Sequence, residues 1–129
     1  MDLVHTETIR AKGFEGGYQK AVMPSGLTVL LYPTEGLSTA HCLLGCKVGS
    51  QDCAFFDGEE EVRIPAGVAH FLEHKLFESE EGDLFLKFAK TGASANAYTS
   101  FDRTCYLFTA TQNVAQSVDI LLGQIGAPY

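Results

Sequence analysis

A chain of 129 residues, 46% hydrophobic and 19% charged, has the make-up of one globular domain, which excludes the disordered and fibrous classes. Nine basic residues against sixteen acidic ones leave a formal charge of −7. That balance repels a polyanion and sets nucleic acid aside as a partner, while a basic peptide would be attracted. The acids gather at Glu59, Glu60 and Glu61 and again at Glu78, Glu80, Glu81 and Asp83, and runs of this kind are most often solvated loop residues.

The opening MDLVHTETIRAKGF has no basic start followed by an apolar run, and no stretch has the apolar length to span a bilayer. A cytoplasmic protein without a membrane partner is therefore expected. Residues 18–33, YQKAVMPSGLTVLLYP, read as two strands joined at Pro24-Ser25-Gly26. A third strand is expected from about Ser38 to Val48. Within it Cys42 and Cys46 lie four apart and so share a face. With Cys53 and Cys105 they show no C-x-x-C spacing, and in a reducing compartment all four are expected as thiols. A metal cluster of Cys42, Cys46, Cys53 and His41 is conceivable, but neither spacing matches a zinc knuckle.

From Gly49 to Pro65 the chain turns polar and acidic and reads as a loop. Pro65 then opens a helix expected over about Ala66 to Glu78. Asp83 is a good N-cap for a second helix, DLFLKFAKTG, that stops at Gly92. ASANAYTSFDRTCYLFTAT follows as two strands with their turn near Ser100 to Arg103. A last helix from about Asn113 to Ile125 places Val114, Val118, Leu121, Leu122 and Ile125 on one face. Hairpins mixed with helices predict an α+β domain, a mixed or antiparallel sheet layered with helices, rather than a doubly wound parallel sheet.

The chemistry is concentrated in HFLEH at residues 70–74. Positions i, i+3 and i+4 share a helix face, so His70, Glu73 and His74 project together, with Phe77 one turn beyond and Val68, Phe71, Leu72 and Leu76 turned broadly toward a core. Two imidazoles one turn apart can direct ring nitrogens at one tetrahedral ion, and a carboxylate beside them can take the proton of an attacking water. The chemistry so implied is amide hydrolysis. On the residues alone, the alternative is two ordinary histidines with Glu73 in an ion pair along the helix face.

The stretch GVAHFLEHKLFE (Gly67 to Glu78) resembles the signature helix of the inverzincins, the insulinase and pitrilysin family of metalloproteases that includes the mitochondrial processing peptidases. TGASANAYTSFDRTCYLF (Thr91 to Phe108) resembles the family's second block, except that Ala93 stands where a second glycine is usual. The resemblance runs from about Tyr18 onward. It implies a partial processing-peptidase-like domain, residues 1–129 being the amino-terminal part of a zinc endopeptidase. His70 and His74 would then bind Zn2+, Glu73 would be the general base, and Ala95, Asn96 and Ala97 would lie on a strand edge that pairs with an extended peptide or unfolded polypeptide substrate. Zinc is inferred from ligand type, and manganese or cobalt suits the same donors.

The resemblance also implies a third ligand, a glutamate roughly seventy to eighty residues past the second histidine, whereas 55 residues follow His74. Glu78 starts about 6 Å from His74 and 12 Å from His70 along a helix axis. Glu80, Glu81 and Asp83 would have to curl back from the loop. The isolated chain is therefore expected to lack the third ligand and the closing half of the site, and to be inactive by itself. Three further expectations follow: a second family subunit as partner, self-association through exposed sheet edges, or a non-catalytic peptide-binding subunit working by β-strand augmentation.

Overall fold

The computed structural model describes residues 5–13, 15–79 and 82–126, with the side chains of Ser79, Gln124 and Ile125 outside that description. The chain divides into two compact units, Met1–Leu37 and Ser38–Tyr129.

The first unit is an antiparallel meander in the order β1-β2-β3, formed by β1 (His5–Ile9), β2 (Tyr18–Val22) and β3 (Thr28–Leu31). The expected turn at Pro24-Ser25-Gly26 joins β2 to β3. The Gly26 amide donates to the Met23 carbonyl at 2.9 Å, and Gly26 takes φ 87°, the left-handed region that glycine enters at low cost. Strand β1 lies in a stretch left unassigned above, because HTETI has only one large apolar residue to mark it.

The second unit carries the elements that position the site. They are β4 (Ala40–Cys46), β5 (Ala54–Phe56), β6 (Glu61–Arg63), α1 (Val68–Leu76), β7 (Glu78–Ser79), β8 (Gly82–Asp83), α2 (Leu84–Thr91), β9 (Ser94–Thr99), β10 (Thr104–Ala110) and α3 (Val114–Gly126). The main sheet is antiparallel in the order β4-β10-β9, with Phe108 opposite both Cys42 and Ala95, and Tyr106 opposite both Leu44 and Ala97. These α+β layers agree with the expected class. The acidic stretch read as a loop contains the β5–β6 hairpin, and Asp57 builds its turn by accepting the Glu59 and Glu60 amides at 2.8 and 2.9 Å.

Phe108 and Phe88 are completely buried, their rings 5.9 Å apart, and around them gather Phe77, Leu84, Tyr106, Ala110 and Leu121. Cys42 and Cys46 point to the same cluster, as their spacing predicts, while His41 and Cys53 are exposed, and the four cysteines are free thiols. On α3, Val114, Val118 and Leu121 face the core as expected, but Leu122 is 45% exposed and Ile120 packs in its place. Ile125 belongs to the undescribed side chains.

Helix α2 starts and stops where its sequence says. The Asp83 carboxylate accepts the Phe85 amide at 2.8 Å, and Gly92 closes the helix at φ 83°. No helix among the described residues is long and apolar enough to cross a membrane.

Candidate metal centre

Helix α1 is two residues shorter at each end than the sequence suggests. Gly67, at φ 90°, caps it without a side-chain hydrogen bond, and Phe77 ends it by donating its amide to the His74 carbonyl at 3.2 Å. Its last turn carries His74 and Lys75, positive or ionisable groups that suit the carbonyl end of a helix dipole. The Leu84 amide donates to the Phe77 carbonyl at 2.9 Å, which ties the end of α1 to the start of α2.

The core side of α1 differs from the one expected. Ala69, Glu73 and Phe77 are buried, and Leu76 packs against the same cluster. These residues stand at i, i+4, i+7 and i+8, the spacing of a single helical stripe. Phe71 is 64% exposed and Leu72 is 49% exposed, so the apolar pair assigned to the core faces outward. Glu73 therefore occupies the middle of the buried stripe. His70 and His74 stand exposed beside it.

Nε2 of His70 and Nε2 of His74 are 3.1 Å apart, their ring centroids 4.9 Å apart. One ring donates to the other, the tautomers deciding which. Two imidazole nitrogens that each lie about 2.0 to 2.1 Å from one zinc ion can be separated by up to about 4.2 Å, so this spacing suits a shared ion. The pair fits two corners of a metal site. Among the described residues, no group of three His, Cys, Asp or Glu side chains is placed to hold a metal ion. Glu80 and Glu81, two of the substitutes considered above, lie outside the described residues. Glu78 instead pairs with Lys75 at 2.5 Å, and Asp83 is occupied as the cap of α2.

The Glu73 carboxylate is held from the sheet, where the Thr99 hydroxyl donates to its Oε2. Nearby, burial pushes the Tyr106 phenol up to about 12, with smaller contributions from Cys46 and from Glu73 itself. A phenol so placed stays neutral beside the carboxylate. His70, Glu73 and His74 open on a cleft of ≈ 490 Å³ whose other walls include Phe77, Phe85, Asn96 and Ala97. Phe77 and Phe85 stack face to face with centroids 4.2 Å apart.

Of the strand residues picked out by sequence, Asn96 and Ala97 line this cleft, and Ala95 and Ala97 pack against the core cluster. The Asn96 side chain accepts the Ala97 amide at 2.8 Å. Strand β9 forms one edge of the three-stranded sheet. Thr99 and Phe85 were missed. The signal for Thr99 was available, since Ala95, Ala97 and Thr99 alternate along β9 and must share the face that meets the helices.

Residues 58–128 match the family model described as Insulinase (Peptidase family M16), and the chain belongs to that family. The chain is 46% identical over 109 residues to the Bacillus subtilis (strain 168) protein named "Uncharacterized zinc protease YmfH", a match covering 83% of this chain and 26% of that one. It is 35% identical over 106 residues to the mitochondrial-processing peptidase subunit beta of Blastocladiella emersonii, covering 77% of this chain and 21% of that one. Among solved structures, an M16-like peptidase from Alicyclobacillus acidocaldarius superposes with TM-score 0.84 at 35% identity over 95% of this chain and 28% of its own. Pitrilysin superposes with TM-score 0.73 at 26% identity over 98% of this chain and 13% of its own. The chain thus spans about a quarter of the length of the curated relatives it matches.

Proposed function

We propose that this chain supplies the metal-binding helix and the substrate-aligning strand of a zinc-dependent endopeptidase, the remaining donors and the closing half coming from a longer chain or a second family subunit. One observation carries the reading: the two Nε2 atoms meet at 3.1 Å with a buried carboxylate on the intervening turn. Two names among the relatives, a zinc protease and a processing-peptidase subunit, support it.

His70 and His74 would hold the ion through Nε2. Bound zinc supplies Lewis-acid activation of water and polarisation of the peptide carbonyl. Glu73 takes the proton of the water attacking that carbonyl and passes it to the leaving amide nitrogen as the C–N bond breaks. The β9 edge at Asn96 and Ala97 aligns an extended peptide or unfolded polypeptide along the cleft, its backbone pairing with the strand. The acidic surface, at −7 overall, favours substrates with basic residues.

The reading is tested in a full-length family chain carrying this segment. Glu73→Gln is expected to keep zinc and lose hydrolysis by about 10²- to 10⁴-fold, because the base goes while the ligands stay. His74→Ala is expected to lose zinc first and activity in consequence. Cleavage at the parent rate by Glu73→Gln would remove Glu73 as the base, whereas a parent chain that binds peptide at the β9 edge and cleaves none would favour the non-catalytic peptide-binding reading.

A further inference from the structure

We propose that Thr99 is the positioning residue for Glu73, its hydroxyl fixing one carboxylate oxygen so that the other is free for proton transfer. The inference rests on the proteolytic reading and deepens it. Three features support it. The Thr99 hydroxyl donates to Oε2 of Glu73 across 26 residues of sequence, joining the helix to the sheet. A hydroxyl on a carboxylate makes a charge-assisted bond, and it offsets part of the cost of burying Glu73 in the stripe that packs on the sheet. Threonine is also β-branched and stiff at χ1, so a strand that holds its backbone holds its hydroxyl.

The backbone of Thr99 is held by the neighbouring strand and by the turn that follows it. Thr99 pairs with Thr104, whose own hydroxyl donates to the Val48 carbonyl at 2.8 Å. The following turn closes through the Ser100 amide on the Arg103 carbonyl at 2.8 Å. The amides of Ser50 and Gln51 then bind the carbonyls of Ser100 and Phe101 at 2.8 and 3.1 Å. Gly49 makes that last contact possible, because a Cβ there would lie 2.3 Å from the Phe101 carbonyl oxygen. The whole arrangement gives Glu73 a rigid second support from the sheet, in addition to its own helix.

The test uses the zinc-loaded full-length chain, with Thr99→Val, Thr99→Ser and Glu73→Gln read on one peptide. Thr99→Val is expected to lower kcat by about 10- to 100-fold at nearly constant KM, with zinc stoichiometry and affinity by calorimetry unchanged. Thr99→Ser, which restores the hydroxyl, should recover most of kcat. In a Glu73→Gln background Thr99→Val should cost nothing more. Should Thr99→Val fail to fold by circular dichroism, Thr99→Ala against Thr99→Ser carries the same comparison. Parental kcat without the hydroxyl, equal losses in the serine and hydroxyl-free variants, or equal losses in both backgrounds would overturn the proposal. Absence of zinc-dependent cleavage by the parent chain would instead overturn the proteolytic reading beneath it, and parental cleavage by Glu73→Gln would remove Glu73 as the base.

Discussion

Helices α1 and α2 are neighbours of nearly equal length, yet they meet the core in opposite ways. Helix α2 buries Leu84, Phe88 and Thr91, the arrangement any amphipathic helix is expected to adopt. Helix α1 buries Ala69 and Glu73 and leaves Phe71 and Leu72 exposed. One helix is placed by its apolar residues. The other spends its central core position on a carboxylate, a choice that costs stability unless the group is hydrogen-bonded, as Glu73 is by Thr99, and that the proposed role of base would account for.

The contrast can be broken from either side. Phe88→Ala in α2 should cost about 3 to 5 kcal/mol, since it empties a completely buried site against Phe108, and chemical denaturation would measure the loss. A smaller effect concerns Tyr106, which lies under the helices with its phenol pushed up to about 12. The folded phenol holds its proton more tightly than the unfolded one, which titrates near its ordinary value of about 10. That stability is fully present below about pH 10 and lost as pH rises toward about 12, by roughly 1 to 3 kcal/mol. Denaturation at stepped alkaline pH should show the loss, and Tyr106→Phe should remove it.

Glu73→Leu would make α1 resemble α2. It should raise stability by about 0.5 to 2 kcal/mol while abolishing the proposed hydrolysis, the usual exchange between stability and function at a working site. Thermal melts of the two proteins decide the sign. Phe71→Ser should change stability by no more than about 0.5 kcal/mol, because the ring is already outside. A large loss there would mean that Phe71 is covered after all.

The same two helices show how much the sequence could tell. Helix α2 was legible to its ends, because Asp83 and Gly92 are strong local signals that no tertiary contact overrides. The hairpin of β9 and β10 was legible for the same reason, with alternation on both sides of a polar turn. HFLEH was legible as a face of the helix, and the structure brings His70, Glu73 and His74 together as that face requires. The burial of α1 was not legible. Hydrophobicity places Phe71 and Leu72 inside, whereas the packing of α1 on the sheet, where the Thr99 hydroxyl meets Glu73, puts Glu73 there instead. The hairpin of β5 and β6 was hidden by its acids, which sit in its turn and on its exposed strands.

The most direct test of the account is a zinc titration of the 129-residue apo chain by calorimetry, beside His70→Ala and His74→Ala. The account predicts one weak site per chain, as a two-nitrogen donor set should give, and its loss in either variant. Zinc binding of the same stoichiometry and affinity in all three proteins would contradict it.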